Sequence, residues 1–162
     1  MAIRLAKAAL VCGVALFYTL VVFNNLTDYG SNEQFVRHVL AMDSTFPGNR
    51  GMWRAIDSPR IHAFFYLSII AWEALTMVCC WWGGIRLFAA ARASAERFAA
   101  ARSIAAVGLT IGLLLWLVAF LDVGGEWFLM WQSTAWNGQN AAFRMFAVVG
   151  IVLLVLLSPG DS

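Results

Sequence analysis

Four long apolar runs, residues 6–23, 61–85, 103–122 and 141–157, leave this chain little freedom in what it can become. A membrane span needs roughly 20 mostly apolar residues at the 1.5 Å rise of a helix. These runs match that length and are too continuous to be the apolar stripes of water-soluble helices. Composition agrees: 62% of residues are apolar and 12% charged, where soluble domains hold about half and a quarter. The expected fold is therefore an all-α integral membrane four-helix bundle, a single domain over residues 1–162.

The first run starts like a signal peptide, with Arg4 and Lys7 ahead of an apolar centre. It then continues past the roughly 7–15 residues of a signal core and passes into "NNLTDYG" with no small-residue cleavage site, so it reads as a retained first helix. Pro59 suits the start of the second helix, where its missing N–H costs nothing. "SPGDS" stops the fourth. Loops 24–60 and 123–140 then share one side of the membrane, and loop 86–102 shares the other with both termini.

Lys and Arg near span ends decide the side. Arg4 and Lys7 join Arg86, Arg92, Arg97 and Arg102, which face one acid, Glu96, in the connection "RLFAAARASAERFAAAR". Opposite them, Arg37, Arg50, Arg54 and Arg60 are balanced by Asp28, Glu33, Asp43 and Asp57, while Asp122 and Glu126 add acid alone. Both termini are expected in the cytoplasm and the long first loop on the outer side of the membrane. The alanine-rich connection should extend helices two and three as a hairpin, with Arg92 and Glu96 pairing at i, i+4. Its arginines read as a skirt against lipid headgroups rather than a nucleic-acid surface.

Within the long loop, "SNEQFVRHVLAMDSTF" places Phe35, Val36, Val39, Leu40 and Met42 near helical spacing, which predicts a short amphipathic helix on the membrane surface or across the helix ends. "FPGNRGMW" turns the chain back towards the interface. Asn25-Leu26-Thr27 spells a glycosylation sequon but abuts the membrane, where it carries no meaning.

Two places carry chemistry. The first is "GGEWFLMWQSTAWNGQ", the second outer loop, where Trp127 and Trp131 would share a face of one helical turn and Asn137-Gly138 would return the chain to the last span. Indoles favour the membrane interface, but Asp122, Glu126, Gln132, Trp136, Asn137 and Arg144 crowd the same helix ends, more polar groups than an aromatic belt requires. A partner or lipid site is expected there, with Arg144 pairing to Asp122 or Glu126 or extending to the surface.

The second place is Glu73, about 18 Å along the second span and near the bilayer centre. An intramembrane carboxyl is costly and marks function by default. His62, Tyr66 and Glu73 fall along one stripe facing the bundle.

Gly108 and Gly112 form a small-residue packing face in the third span. Cys12, Cys79 and Cys80 lie in spans and read as small apolar fillers. No metal site is expected, since only His38 and His62 are available and the C-x-x-C-H haem pattern is missing. There is no phosphate loop, nucleophile elbow or zinc pattern.

"FNNLTDYGSNEQFVRHVLAMDSTFPGN", "AWEALT" around Glu73 and "GGEWFLMWQSTAWNGQ" together resemble a bacterial family of predicted small integral membrane proteins of unknown function. The resemblance covers nearly the whole chain. It implies four helices in a bacterial inner membrane, which would make loops 24–60 and 123–140 periplasmic, and it implies no activity. Two functions follow from the residues: an accessory or structural subunit that packs against lipids and either a larger membrane complex or further copies of itself as a homo-oligomer, or a small transporter, channel or quinone-linked protein using Glu73 for a proton or ligand. Non-enzymatic function is expected, with no cofactor beyond a bound phospholipid or quinone and no nucleic acid as partner.

Overall fold

The computed structural model describes residues 1–159, so the last three residues of the expected domain, at the end of "SPGDS", lie outside the described residues. Five helices follow in order: α1 (Ala2–Thr27), α2 (Tyr29–Ala41), α3 (Pro59–Ala90), α4 (Ala95–Leu114) and α5 (Gln139–Leu157). Helix α4 continues without a break as a π-helical segment, Leu115–Trp127. No strand occurs among the described residues. Helices α1, α3, α4 with its extension, and α5 are each long and apolar enough to cross a membrane.

Every helix except α5 overruns its apolar run at both ends. The apolar run is limited by lipid, but the helix is limited only by backbone breakers, and the alanine-rich connection has almost none. Helices α3 and α4 accordingly extend towards each other until a short turn separates them, and Ser94 Oγ caps α4 by accepting from Arg97 N at 3.4 Å. That turn overrides the expected Arg92–Glu96 pair. Arg92 lies in the turn and Glu96 in the first turn of α4, so the two are not successive on one helix.

The bundle is antiparallel, with the described start of the chain, its described end and the α3–α4 hairpin at one pole. Arg4 Nη1 donates to Ala93 O at 2.6 Å and Ala91 O at 3.3 Å, and Lys7 Nζ donates to Ser158 O at 2.6 Å. Both cations are buried, and they satisfy carbonyls left open where α3 and α5 end. The basic tail is thus folded into the molecule. Only Arg86, Arg92 and Arg97 remain as exposed cations on the hairpin.

Small residues let the helices close on each other. A Cβ on Gly83 would lie 2.5 Å from Ala105 Cα, and one on Gly108 would lie 2.9 Å from Cys79 Cβ. Gly112 faces Tyr18 and Thr76 in the same way. The Gly108/Gly112 face is therefore used inside the chain, between α4 and α3. All three cysteines are free, and Cys80 is fully buried in the main core with Tyr18, Phe98, Leu109 and Val149.

At the opposite pole, α2 starts one residue after α1 ends, turning at Asp28, and lays Val36, Val39 and Leu40 against Tyr66 and Ile70 of α3. This is the amphipathic helix that the spacing predicts, placed across the helix ends. Phe128 and Met130 from the second loop complete this smaller core.

Candidate functional site

The site forms where α1 stops short. Asn25 lies in the last turn of α1, is buried, and donates Nδ2–H to Glu73 Oε2 at 2.7 Å. Asn32, near the start of α2, donates to Asn25 Oδ1 at 2.7 Å. Tyr66 OH donates to Asn25 O at 3.3 Å. A chain of amides thus runs from the start of α2 through Asn25 to the carboxyl. Burying Glu73 without such a donor would be costly, so the two asparagines account for its toleration there.

Glu73 is midway along α3, as its spacing requires. It is nevertheless level with the end of α1, roughly 30 Å of helix rise from Arg4. The carboxyl is thus midway along α3 and at the end of α1. The difference arises because α3 and the extension of α4 continue past α1 and are covered there by α2.

Above the carboxyl is a cavity of about 350 Å³ lined by all five helical elements, including Asn25 and Asn32 with Phe35, Tyr66, Trp116 and Phe120. Exposed Asn24, Asn32 and Ala141 lie at its edge. A second, more apolar cavity of about 240 Å³ adjoins it, sharing Phe35, Val36, Ile69 and Phe120 as a common wall and reaching Phe64, which is exposed.

The π-helical segment supplies Trp116 and Phe120, and two side chains from other helices bond to the turn before it. Trp72 Nε1 donates to Ile111 O at 2.9 Å and Tyr18 OH to Gly112 O at 3.3 Å. The segment ends with Phe128 N donating to Val123 O at 3.0 Å, five residues back. Trp116 Nε1 then donates to Tyr18 OH at 2.8 Å, fixing the indole at the cavity wall. Runs of π-helix are rare and concentrate at functional sites.

Of the predicted stripe, Tyr66 and Glu73 converge on this cavity and His62 does not. His62 is buried and its Nε2 pairs with Ile56 O at 2.7 Å, tying down the segment before α3; its buried Nδ1 has no partner among the described residues. His38 pairs instead with Asp43 at 2.7 Å, so the two histidines do not meet.

The predicted outer site divides into three. Trp127 packs edge-on against Trp53 at 5.7 Å, with the Arg54 guanidinium 5.2 Å from the Trp127 ring and 5.5 Å from the Trp53 ring. Trp131 packs against Phe46 at 5.7 Å, and Gln132 Oε1 accepts from Phe46 N at 3.0 Å. Trp136 stacks on His38 at 4.4 Å, while Asn137 Oδ1 accepts from Gln139 N at 3.1 Å at the start of α5. Trp127 and Trp131 do not share a helical face, because the helix ends at Trp127 and Leu129 takes a left-handed conformation. Asp122, Glu126 and Arg144 are exposed, and no ion pair joins Arg144 to either acid among the described residues. Arg144 extends outward.

Asn25, Asn32 and Trp116 escaped the sequence reading. The one signal for Asn25 is a polar side chain just past the end of an apolar run; buried and bonded to Glu73, it is no glycosylation acceptor in this fold.

No curated protein and no solved structure matches the chain. A family model described as "Predicted small integral membrane protein (DUF2165)" matches residues 3–159. With four helices fit to cross a membrane and a match over nearly its full length, the chain belongs to that family of small integral membrane proteins.

Proposed function

We propose that the protein is a small non-enzymatic subunit of the bacterial inner membrane, with both termini cytoplasmic, that packs against a larger membrane complex and the lipid around it. The observation that carries this reading is the ordered aromatic platform at the α2 pole. Phe46, Trp53, Trp127 and Trp131 are all exposed, yet each is already held in an edge-on pair, and Arg54 is fixed between two of them by donating to Trp127 O at 2.9 Å. Rigid aromatics flanked by arginine are the residues that dominate binding energy at interfaces, because little freedom remains to be lost on docking. Purification from native membranes in mild detergent, followed by mass spectrometry, tests it. A defined set of proteins should co-migrate with the wild type and be lost from Trp127→Ala and Trp131→Ala. Uniformly small, additive losses would reduce the platform to a membrane-interface anchor.

The cavity over Glu73 favours a second reading, in which the subunit also holds a small molecule or a proton at the carboxyl. A solitary carboxyl in an aromatic-walled cavity of about 350 Å³ is more than helix packing requires. Phospholipid and quinone are candidate occupants, and the lining distinguishes among ligand classes.

A further inference from the structure

We propose that the Glu73 cavity is a binding site for an organic cation carrying apolar substituents, an inference that rests on the second reading above. Four aromatic side chains, Phe35, Tyr66, Trp116 and Phe120, stand around one carboxyl. Aromatic faces attract cations that have shed water, most strongly at tryptophan, and a carboxylate supplies the counter-charge. No Lys, Arg or His lines the cavity. Glu73 has an amide as its hydrogen-bond partner, from Asn25, and no ion pair to Glu73 is formed among the described residues.

The elements packed around the carboxyl show the same bias. Helix α1 presents Asn25 and α2 presents Asn32; the extension of α4 presents Trp116 and Phe120, α5 presents Ala141, and on α3 the titratable neighbour is Tyr66. An ionised carboxylate here lacks the cationic partner that buried charges need, and a cationic ligand provides it. Anionic phosphate headgroups are disfavoured by the same lining. The exposed edge at Asn24 and Ala141, beside the end of α1 and the start of α5, gives such a cation a way in. The adjoining apolar cavity behind Ile69 and Phe120 would take the organic substituents.

The test uses the full chain in nanodiscs of zwitterionic lipid, with tritiated benzyltrimethylammonium as probe and empty nanodiscs subtracted. Saturable binding at one cation per chain is expected. Neopentylbenzene, the uncharged isostere, should not displace it. Glu73→Gln keeps an acceptor for Asn25 and removes only the charge, so it should weaken binding at least tenfold without changing the melting temperature. Ala141→Phe, at an exposed position on the cavity edge, should weaken it as much by occlusion, and it carries the test should Glu73→Gln fail to fold. Binding within twofold of wild type in either folded variant, or equal displacement by neopentylbenzene, would overturn the cation assignment. Small-molecule extracts separate the two failures. An uncharged molecule carried by wild type and absent from Ala141→Phe would overturn the cation and keep the cavity as a binding place, whereas identical extracts with no cation binding would overturn both.

Discussion

Asn25 serves two side chains at once, donating to Glu73 and accepting from Asn32, each at 2.7 Å. Replacing it with leucine removes the donor to the buried Glu73 carboxyl and the acceptor of Asn32, whose exposed amide can turn to water instead. Leaving the buried group unsatisfied costs about 1–3 kcal/mol, so Asn25→Leu should lower the unfolding free energy by about that amount in a detergent melt, while Glu73→Gln should change it far less. Equal stability for Asn25→Leu and wild type would show that the amide chain contributes nothing to the fold. The Glu73 end of this contact was legible in the sequence because a charge inside an apolar run is anomalous wherever it packs. The Asn25 end was not, since a bond across 48 residues leaves no local periodicity to read. Tyr66 and His62 share the buried stripe of α3, but His62 is eleven residues from Glu73, roughly 16 Å of helix rise, and its Nε2 pairs with the Ile56 carbonyl instead.

At the scale of helices, the α3–α4 hairpin depends on the absence of side chains at Gly83 and Gly108. Gly83 meets the Ala105 backbone, which cannot retreat as a flexible side chain can. Overpacking a close contact costs about 1–3 kcal/mol, so Gly83→Val should destabilise the bundle by at least that much in a detergent melt. Gly13 on α1 has nothing within 4 Å of an added Cβ, and Gly13→Ala should be neutral or slightly stabilising, as helix propensity alone dictates. A Gly83→Val protein that melts with wild type would mean the two helices can separate freely. The small-residue face was readable as a four-residue spacing, though not its partner helix. The π-helical extension leaves no mark in the sequence, because residues 115–122 simply continue the apolar run of the third span. The separation of Trp127 from Trp131 follows from where that extension ends. Apolar length therefore located the spans, while the ends of the helices, where the candidate site lies, were set by long-range contacts.

For the whole molecule, the two poles differ in how they use charge. At the hairpin pole, Arg4 and Lys7 are buried against helix-end carbonyls and Arg102 Nη1 reaches Leu156 O at 3.5 Å, while Arg86, Arg92 and Arg97 stay exposed. At the α2 pole, exposed Asp28, Asp43, Asp57, Asp122 and Glu126 offset the exposed arginines. Folding the tail cations into the bundle pins the start of α1 to the same side as the hairpin, so the charge excess on the hairpin and the position of the described chain ends cannot be set independently. The proposed orientation, with Arg and Lys retained on the cytoplasmic side, predicts that the α2 pole faces outward. In a background with Cys12, Cys79 and Cys80 replaced by alanine, Arg50→Cys, in the exposed turn before α3, should react with an impermeant thiol reagent in intact cells. Ala95→Cys, exposed at the first position of α4, should react only after permeabilisation. Labelling of Ala95→Cys in intact cells, with Arg50→Cys protected, would invert the molecule. The aromatic platform and the Glu73 cavity would then open towards the cytoplasm, and their partners would have to be sought there.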